Sequence, residues 1–168
     1  MNMQEIRHGV GSLWESMAEG WDRLRHSAAG ALTRFRPGDK SNLPAREEID
    51  DTSWEPGMGW SMLGGDVFED DRRVVVRIEA PGMAKADFDI EVLTDRLLVR
   101  GEKRFEREES DGSWRVLQCA YGSFHRSVPL PAAVVTDKAH ATYRDGVLRV
   151  ELPKMRPGRR DVKQIRVT

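Results

Sequence analysis

A single cysteine, Cys119, among 168 residues leaves nothing for it to pair with, so no internal disulfide framework holds this chain together. A reducing compartment is the expected setting. Long apolar runs are missing as well; nothing approaches the roughly 18 residues of a membrane span. Glu5, Arg7, Glu15 and Glu19 interrupt the start of the chain, which speaks against a secretory leader. The chain is therefore expected to be soluble and cytoplasmic. Neither sign of charge dominates. Lysine and arginine number 27 against 28 acidic residues, a net charge of −1, whereas a nucleic-acid binder usually carries a basic surplus.

Catalytic constellations are absent too. His8, His26, His125 and His140 have no metal-ligand spacing to one another or to Cys119. His125 and Ser127 lie two apart and share a strand face, but no orienting acid or G-x-S-x-G turn accompanies them. No G-x-x-x-x-G-K loop occurs, so bound ATP is not expected. Cys119 sits between Gln118 and Ala120, with only Arg115 near in sequence to favour a thiolate. The residues thus predict no enzyme, no metal and no cofactor.

What is present falls into three zones. In the first, apolar residues recur at Ile6, Val10, Leu13, Met17, Trp21, Leu24, Ala28, Ala31 and Phe35, with Trp14 and Leu32 widening the stripe. Spacings of three and four predict an amphipathic helix. Gly9, Gly11, Gly20 and Gly30 each weaken it by about 1 kcal/mol relative to alanine, so one or two mobile helical segments are expected, ended by Pro37-Gly38. Residues 37–59 are rich in proline, glycine and acidic side chains and lack an apolar period, which predicts a disordered linker. Together these make a variable arm over residues 1–59.

Residues 60–154 read as short strands between turns. R-V-V-V-R-I-E at 73–79 is β-branched and is stopped by Pro81-Gly82. Phe88, Ile90 and Val92 share one face, as do Leu97 and Val99. Residues 121–130 form a further strand. Ala139, Ala141 and Tyr143 alternate before Asp145-Gly146, a hairpin turn, and Leu148, Val150 and Leu152 line the return strand. About seven such strands without a core-sized helix predict an all-β, antiparallel immunoglobulin-like β-sandwich. Residues 102–111 are almost entirely charged and lead to the apolar Trp114, Val116 and Leu117. A charged arm with a strand at its far end suits pairing with a neighbouring chain.

The last zone, residues 155–168, is a flexible basic tail. Across it Lys154, Arg156, Arg159, Arg160, Lys163 and Arg166 face only Asp161. It carries Ile165 and Val167, which point to the same side of an extended chain and have no local core to enter.

Four blocks in this order resemble the α-crystallin domain of small heat-shock proteins of the bacterial and plant type: E-A-P-G-M-A-K-A-D-F-D-I-E-V at 79–92, L-L-V-R-G-E-K-R at 97–104, Y-G-S-F-H-R-S-V-P-L-P at 121–131 and A-T-Y-R-D-G-V-L-R-V-E-L-P-K at 141–154. The resemblance covers roughly residues 66–167. It implies an ATP-independent holdase that binds unfolding clients as a dynamic oligomer. Ile165 and Val167 would be a plug for a groove between the strands of Phe88, Ile90, Val92 and of Ala139, Ala141, Tyr143 on another dimer. Residues 102–117 would be the exchange loop of the dimer, acting through Trp114, Val116 and Leu117. Leu13, Trp14, Met17, Trp21, Leu24 and Phe35 would be the arm that packs inside oligomers and contacts clients. Where the family often has an acid–arginine pair before the Tyr-Gly strand, this chain has Gln118 and Cys119. A missing interface ion pair leaves room for a hetero-oligomer with a related subunit. Other readings are a co-chaperone-like or purely structural module, and a membrane-surface role for the first helix. Five basic against four acidic side chains over residues 1–37 give lipid little to attract.

Overall fold

Valine-rich alternation sets the architecture. The computed structural model describes residues 30–55, 59–108 and 112–155. Two compact units divide the chain, residues 1–32 and 33–168. The strands in chain order are β1 (Leu32–Arg34), β2 (Trp60–Met62), β3 (Gly65–Glu69), β4 (Arg73–Glu79), β5 (Phe88–Val92), β6 (Arg96–Lys103), β7 (Gly122–Pro129), β8 (His140–Arg144) and β9 (Val147–Pro153). They form a four-stranded sheet of order β3-β4-β9-β8, a three-stranded sheet β5-β6-β7 and a short β1-β2 ladder. All paired strands of the two larger sheets run antiparallel.

Facing rows of apolar side chains make the core. Val74, Val76 and Ile78 of β4 stand opposite Leu152, Val150 and Leu148 of β9. Leu97 and Val99 of β6 and Phe124 and Val128 of β7 meet them from the second sheet. Each such side chain contributes about 1.5–3 kcal/mol on burial. A one-residue slip of β9 would turn its whole apolar row to water, so the alternation itself fixes the register.

The β8–β9 hairpin confirms its turn signal. Asp145 and Gly146 both adopt positive φ, 52° and 78°. That is the left-handed pair an Asp-Gly hairpin turn requires. A Cβ on Gly146 would also stand 3.3 Å from Pro81. Gly146→Ala is expected to cost about 1–2 kcal/mol. Gly112→Ala, where an added Cβ meets nothing within 4 Å, should stay within about 0.5 kcal/mol. Urea midpoints of the two variants check this.

Upstream of β2 the structure corrects the sequence reading. Leu32–Arg34 is a strand, not the end of a helix. Ala31, Thr33 and Phe35 are buried while Leu32, Arg34 and Arg36 are exposed, a period of two. The four-residue step from Ala31 to Phe35 fits that period as well as a helical turn, which is why the spacing misled. Phe35, expected on a client-binding arm, is 2% exposed and lies in the sandwich core, its ring 5.1 Å from that of Phe124. The backbone of Arg36 then pairs with Ser123 in both directions, at 2.9 and 2.7 Å. Gly122, at φ 111°, lets it approach, since a Cβ there would lie 2.0 Å from the Arg36 carbonyl. The sandwich therefore draws on the chain upstream of the expected boundary at residue 60.

The linker reading is corrected in the same way. Ser41 and Ile49 are buried, Arg46–Glu48 forms a 3₁₀ turn, and Ile49 joins Phe105 and Leu117 in a second, smaller apolar cluster. Leu43, Trp54, Trp114 and Tyr121 pack around it. Leu43, Ile49 and Trp54 are unevenly spaced, so no period announced them.

Candidate functional site: a groove between two edge strands

Among the described residues each large sheet ends on a strand with one free edge on this side of the sandwich, β8 in the four-stranded sheet and β5 in the three-stranded one. Between them runs a groove of about 440 Å³. Phe88 and Ile90 from β5 and Ala141 and Tyr143 from β8 line it, with Leu148 of β9 as an apolar floor and Lys85 and Arg144 at its rim. Strand alternation explains the lining, because residues two apart on each strand project to the same side. The Phe88 and Tyr143 rings lie 4.9 Å apart, and the Tyr143 hydroxyl donates to the Ala80 carbonyl at 2.8 Å. That bond ties β8 to the residue that follows β4. Tyr143→Phe removes it and is expected to cost about 1 kcal/mol, read as a lower urea midpoint with the slope unchanged.

Of the residues expected to wall the groove, Phe88, Ile90, Ala141 and Tyr143 are brought together. Val92 and Ala139 are not among its lining and pack half-buried against the sandwich core. Ile165 and Val167 lie outside the described residues, as do Leu13, Trp14, Met17, Trp21 and Leu24.

The opposite border of the four-stranded sheet is β3, whose far edge has no partner strand among the described residues and which exposes Val67 and Phe68. Trp114 makes a single parallel bridge to Ile49, where a short strand over 114–117 was expected. Leu117 is buried, Trp114 half-buried, and Val116 is 60% exposed. Hydrogen bonds from Ala45 and Arg107 hold the Glu48 carboxyl below the ordinary range, and those from Ser53 and Leu117 do the same for Asp51. Burial, and then the Cys119 thiol, push the Tyr121 hydroxyl up. Cys119 itself is exposed.

One residue escaped the sequence reading. Arg126 sits between Phe124 and Val128 on the core-facing side of β7. Its Nε and Nη1 are buried with no hydrogen-bond partner, and burial pulls its pKa down. The alternation Phe124, Arg126, Val128 was the available signal, since it turns a guanidinium inward. Among the described residues no group of three His, Cys, Asp or Glu side chains could hold a metal ion, and no helix is long and apolar enough to cross a membrane.

Comparison with known proteins agrees with this geometry. The model of the Hsp20/alpha crystallin family matches residues 66–168. Small heat shock protein C2 of Rickettsia felis is 32% identical over 94 residues, covering 56% of this chain and 61% of that protein. The 17.6 kDa class I heat shock protein of Solanum peruvianum is 33% identical over 95 residues, covering 56% and 62%. The chain thus spans about three-fifths of the length of these curated relatives. The solved structure of heat shock protein 16.0 from Schizosaccharomyces pombe superposes with a TM-score of 0.53 at 33% identity, covering 62% of this chain and 96% of that one. A match that reaches over more than half the chain is more than a shared motif, and the protein belongs to the Hsp20/alpha crystallin family, that of the small heat-shock proteins.

Proposed function

We propose that this chain is an ATP-independent holdase that binds unfolding proteins and suppresses their aggregation, working as a dynamic oligomer of dimers. The observation that carries the reading is the groove between β5 and β8. It is open, apolar at its floor, and bordered by two free strand edges, which suits an extended segment with two aliphatic side chains one residue apart. Ile165-Arg166-Val167 of another copy has that form. Burying one Ile and one Val contributes about 1.5–3 kcal/mol per side chain before ordering costs. A net of about 4 kcal/mol corresponds to a millimolar contact. One such contact opens quickly, while many on one particle hold through effective concentration.

Holding then needs no turnover. A chain that binds unfolded clients lowers their free concentration and with it their aggregation. The test is heat-induced light scattering of a model client with no nucleotide present. Scattering is expected to fall at least several-fold at equimolar chain, with no change on adding ATP. Full scattering at several-fold excess of the chain would leave an assembly module without client-holding activity.

A further inference from the structure

A second cavity, of about 680 Å³, lies along β5, β6 and β7 and the chain that leads on from β1. Five basic side chains line it: Arg34 of β1, Arg36 and Lys40 just after it, Arg100 of β6 and Arg104 beyond the end of β6. Among the described residues it shares Phe88 alone with the groove between β5 and β8. Register brings the charges together. An antiparallel bridge from Arg36 to Ser123 extends the sheet past β7. His125 stands opposite Arg100, and Arg100 opposite Asp89. Carried two residues along, the Arg36 bridge puts Arg34 in line with His125. Neighbouring strands are about 4.8 Å apart. The row therefore presents a guanidinium, an imidazole and a second guanidinium at close, even steps.

Three carboxylates line the same cavity, and each is engaged. Asp87 pairs with Arg104 at 3.0 Å and accepts the Ala84 N–H at 2.7 Å. Glu102 accepts the Lys40 backbone N–H at 2.8 Å, which leaves the Lys40 ammonium to other partners. Asp89 reaches Arg100 at 3.5 Å. Among the described residues Arg34, Arg36 and Lys40 make no ion pair, and all three are exposed. Arg34 lies over the Trp60 ring, 6.0 Å from its centroid. Five basic groups against three occupied carboxylates leave the cavity short of negative charge.

We propose that this cavity binds a short linear oligophosphate. Guanidinium forks take phosphate oxygens in pairs, and four of the five basic side chains are arginines. Spacing favours phosphate over an acidic peptide. Carboxylates on one side of an extended peptide recur about every 6.8 Å, wider than the about 4.8 Å between strands. A nucleic-acid strand needs basic side chains that continue beyond the cavity, and the whole chain has a net charge of −1. The site is independent of the plug and of client holding, since no tail residue takes part in it.

Isothermal titration calorimetry of the full chain with sodium tripolyphosphate tests this, at about 0.15 M salt, where loose surface attraction is screened. Saturable uptake of one tripolyphosphate per chain is expected, with a higher melting temperature in its presence. Arg34→Gln with Arg36→Gln should weaken the affinity at least tenfold and leave the unliganded melt in place, because both side chains are exposed. Arg100→Gln, on another strand, should weaken it at least threefold, so the result does not hang on how β1 tolerates change. Arg72→Gln with Lys138→Gln removes the same charge at exposed positions outside the cavity and should keep the parent affinity. Equal weakening by that pair would show a diffuse field and reject the site. Absence of saturable uptake, or parent affinity in both cavity variants, would overturn it as well. A single-stranded oligoribonucleotide or a hexaglutamate peptide that binds more tightly than tripolyphosphate would reject the choice of ligand. Ile165→Gly with Val167→Gly should bind tripolyphosphate as the parent does, which keeps this outcome apart from that of the plug.

Discussion

Replacing Ile165 and Val167 together by glycine is expected to reduce the particle to dimer-sized species, seen as a several-fold lower mass in size exclusion with light scattering. Both side chains that would enter the groove are lost, about 3–6 kcal/mol of burial per contact. That corresponds to roughly two to four decades in the affinity of each contact. Glycine also raises the entropy the free tail loses on docking. Because avidity multiplies the contacts, the particle should fall apart cooperatively rather than shrink by degrees. The groove offers the reciprocal test. Ala141, on the exposed face of β8, lines it together with Phe88 and Ile90, so Ala141→Arg would close it without touching the core. The tail variant and the groove variant should converge on the same small species. Replacement by other aliphatics, Ile165→Leu with Val167→Ile, should keep the mass. An unchanged mass in Ile165→Gly with Val167→Gly would reject the plug.

Legibility followed periodicity. Strands β4 to β9 were readable because most alternate apolar and polar residues and β4 is a β-branched run, with Pro81-Gly82 and Asp145-Gly146 as punctuation. Four of the six residues expected along the groove line it, since the same alternation that builds an edge strand aims its side chains. Val92 and Ala139 fall outside it and pack half-buried against the sandwich core instead. Residues 31–35 were misread because a spacing of four satisfies two periods at once. The packing of linker on arm was invisible for another reason. Ile49 lies more than fifty residues from Phe105 and Leu117, the residues it packs against, and sits in a charged, aperiodic stretch. Arg126 was hidden by chemistry, as an inward arginine breaks the apolar pattern that marks a core position.

The second large effect concerns Phe35. Phe35→Ala is expected to destabilise the sandwich by about 3–5 kcal/mol, the usual range for deleting a buried phenylalanine. Set against the roughly 5–15 kcal/mol that holds a typical domain together, that is a major fraction. For a domain of about 100 residues it lowers the melting temperature by on the order of 15 °C or more. Two features make this site unforgiving. The ring is 2% exposed and tilted against Phe124, whose removal of contact leaves a cavity that the paired strands cannot collapse into. It is also bracketed by fixed backbone, with the Phe35 N–H donating to the Gly59 carbonyl at 2.8 Å and Arg36 laddered to Ser123. Leu32→Ala, at a side chain 49% exposed, serves as the control and should change stability by less than about 0.5 kcal/mol. The experiment separates two roles for the same residue. A Phe35 that belongs to a client-binding arm would alter aggregation suppression while leaving the melt in place. A Phe35 that belongs to the sandwich moves the melt first, and client holding fails only where the fold does. Calorimetric melts run beside the scattering assay distinguish these, and an unshifted melt in Phe35→Ala would return the residue to the arm.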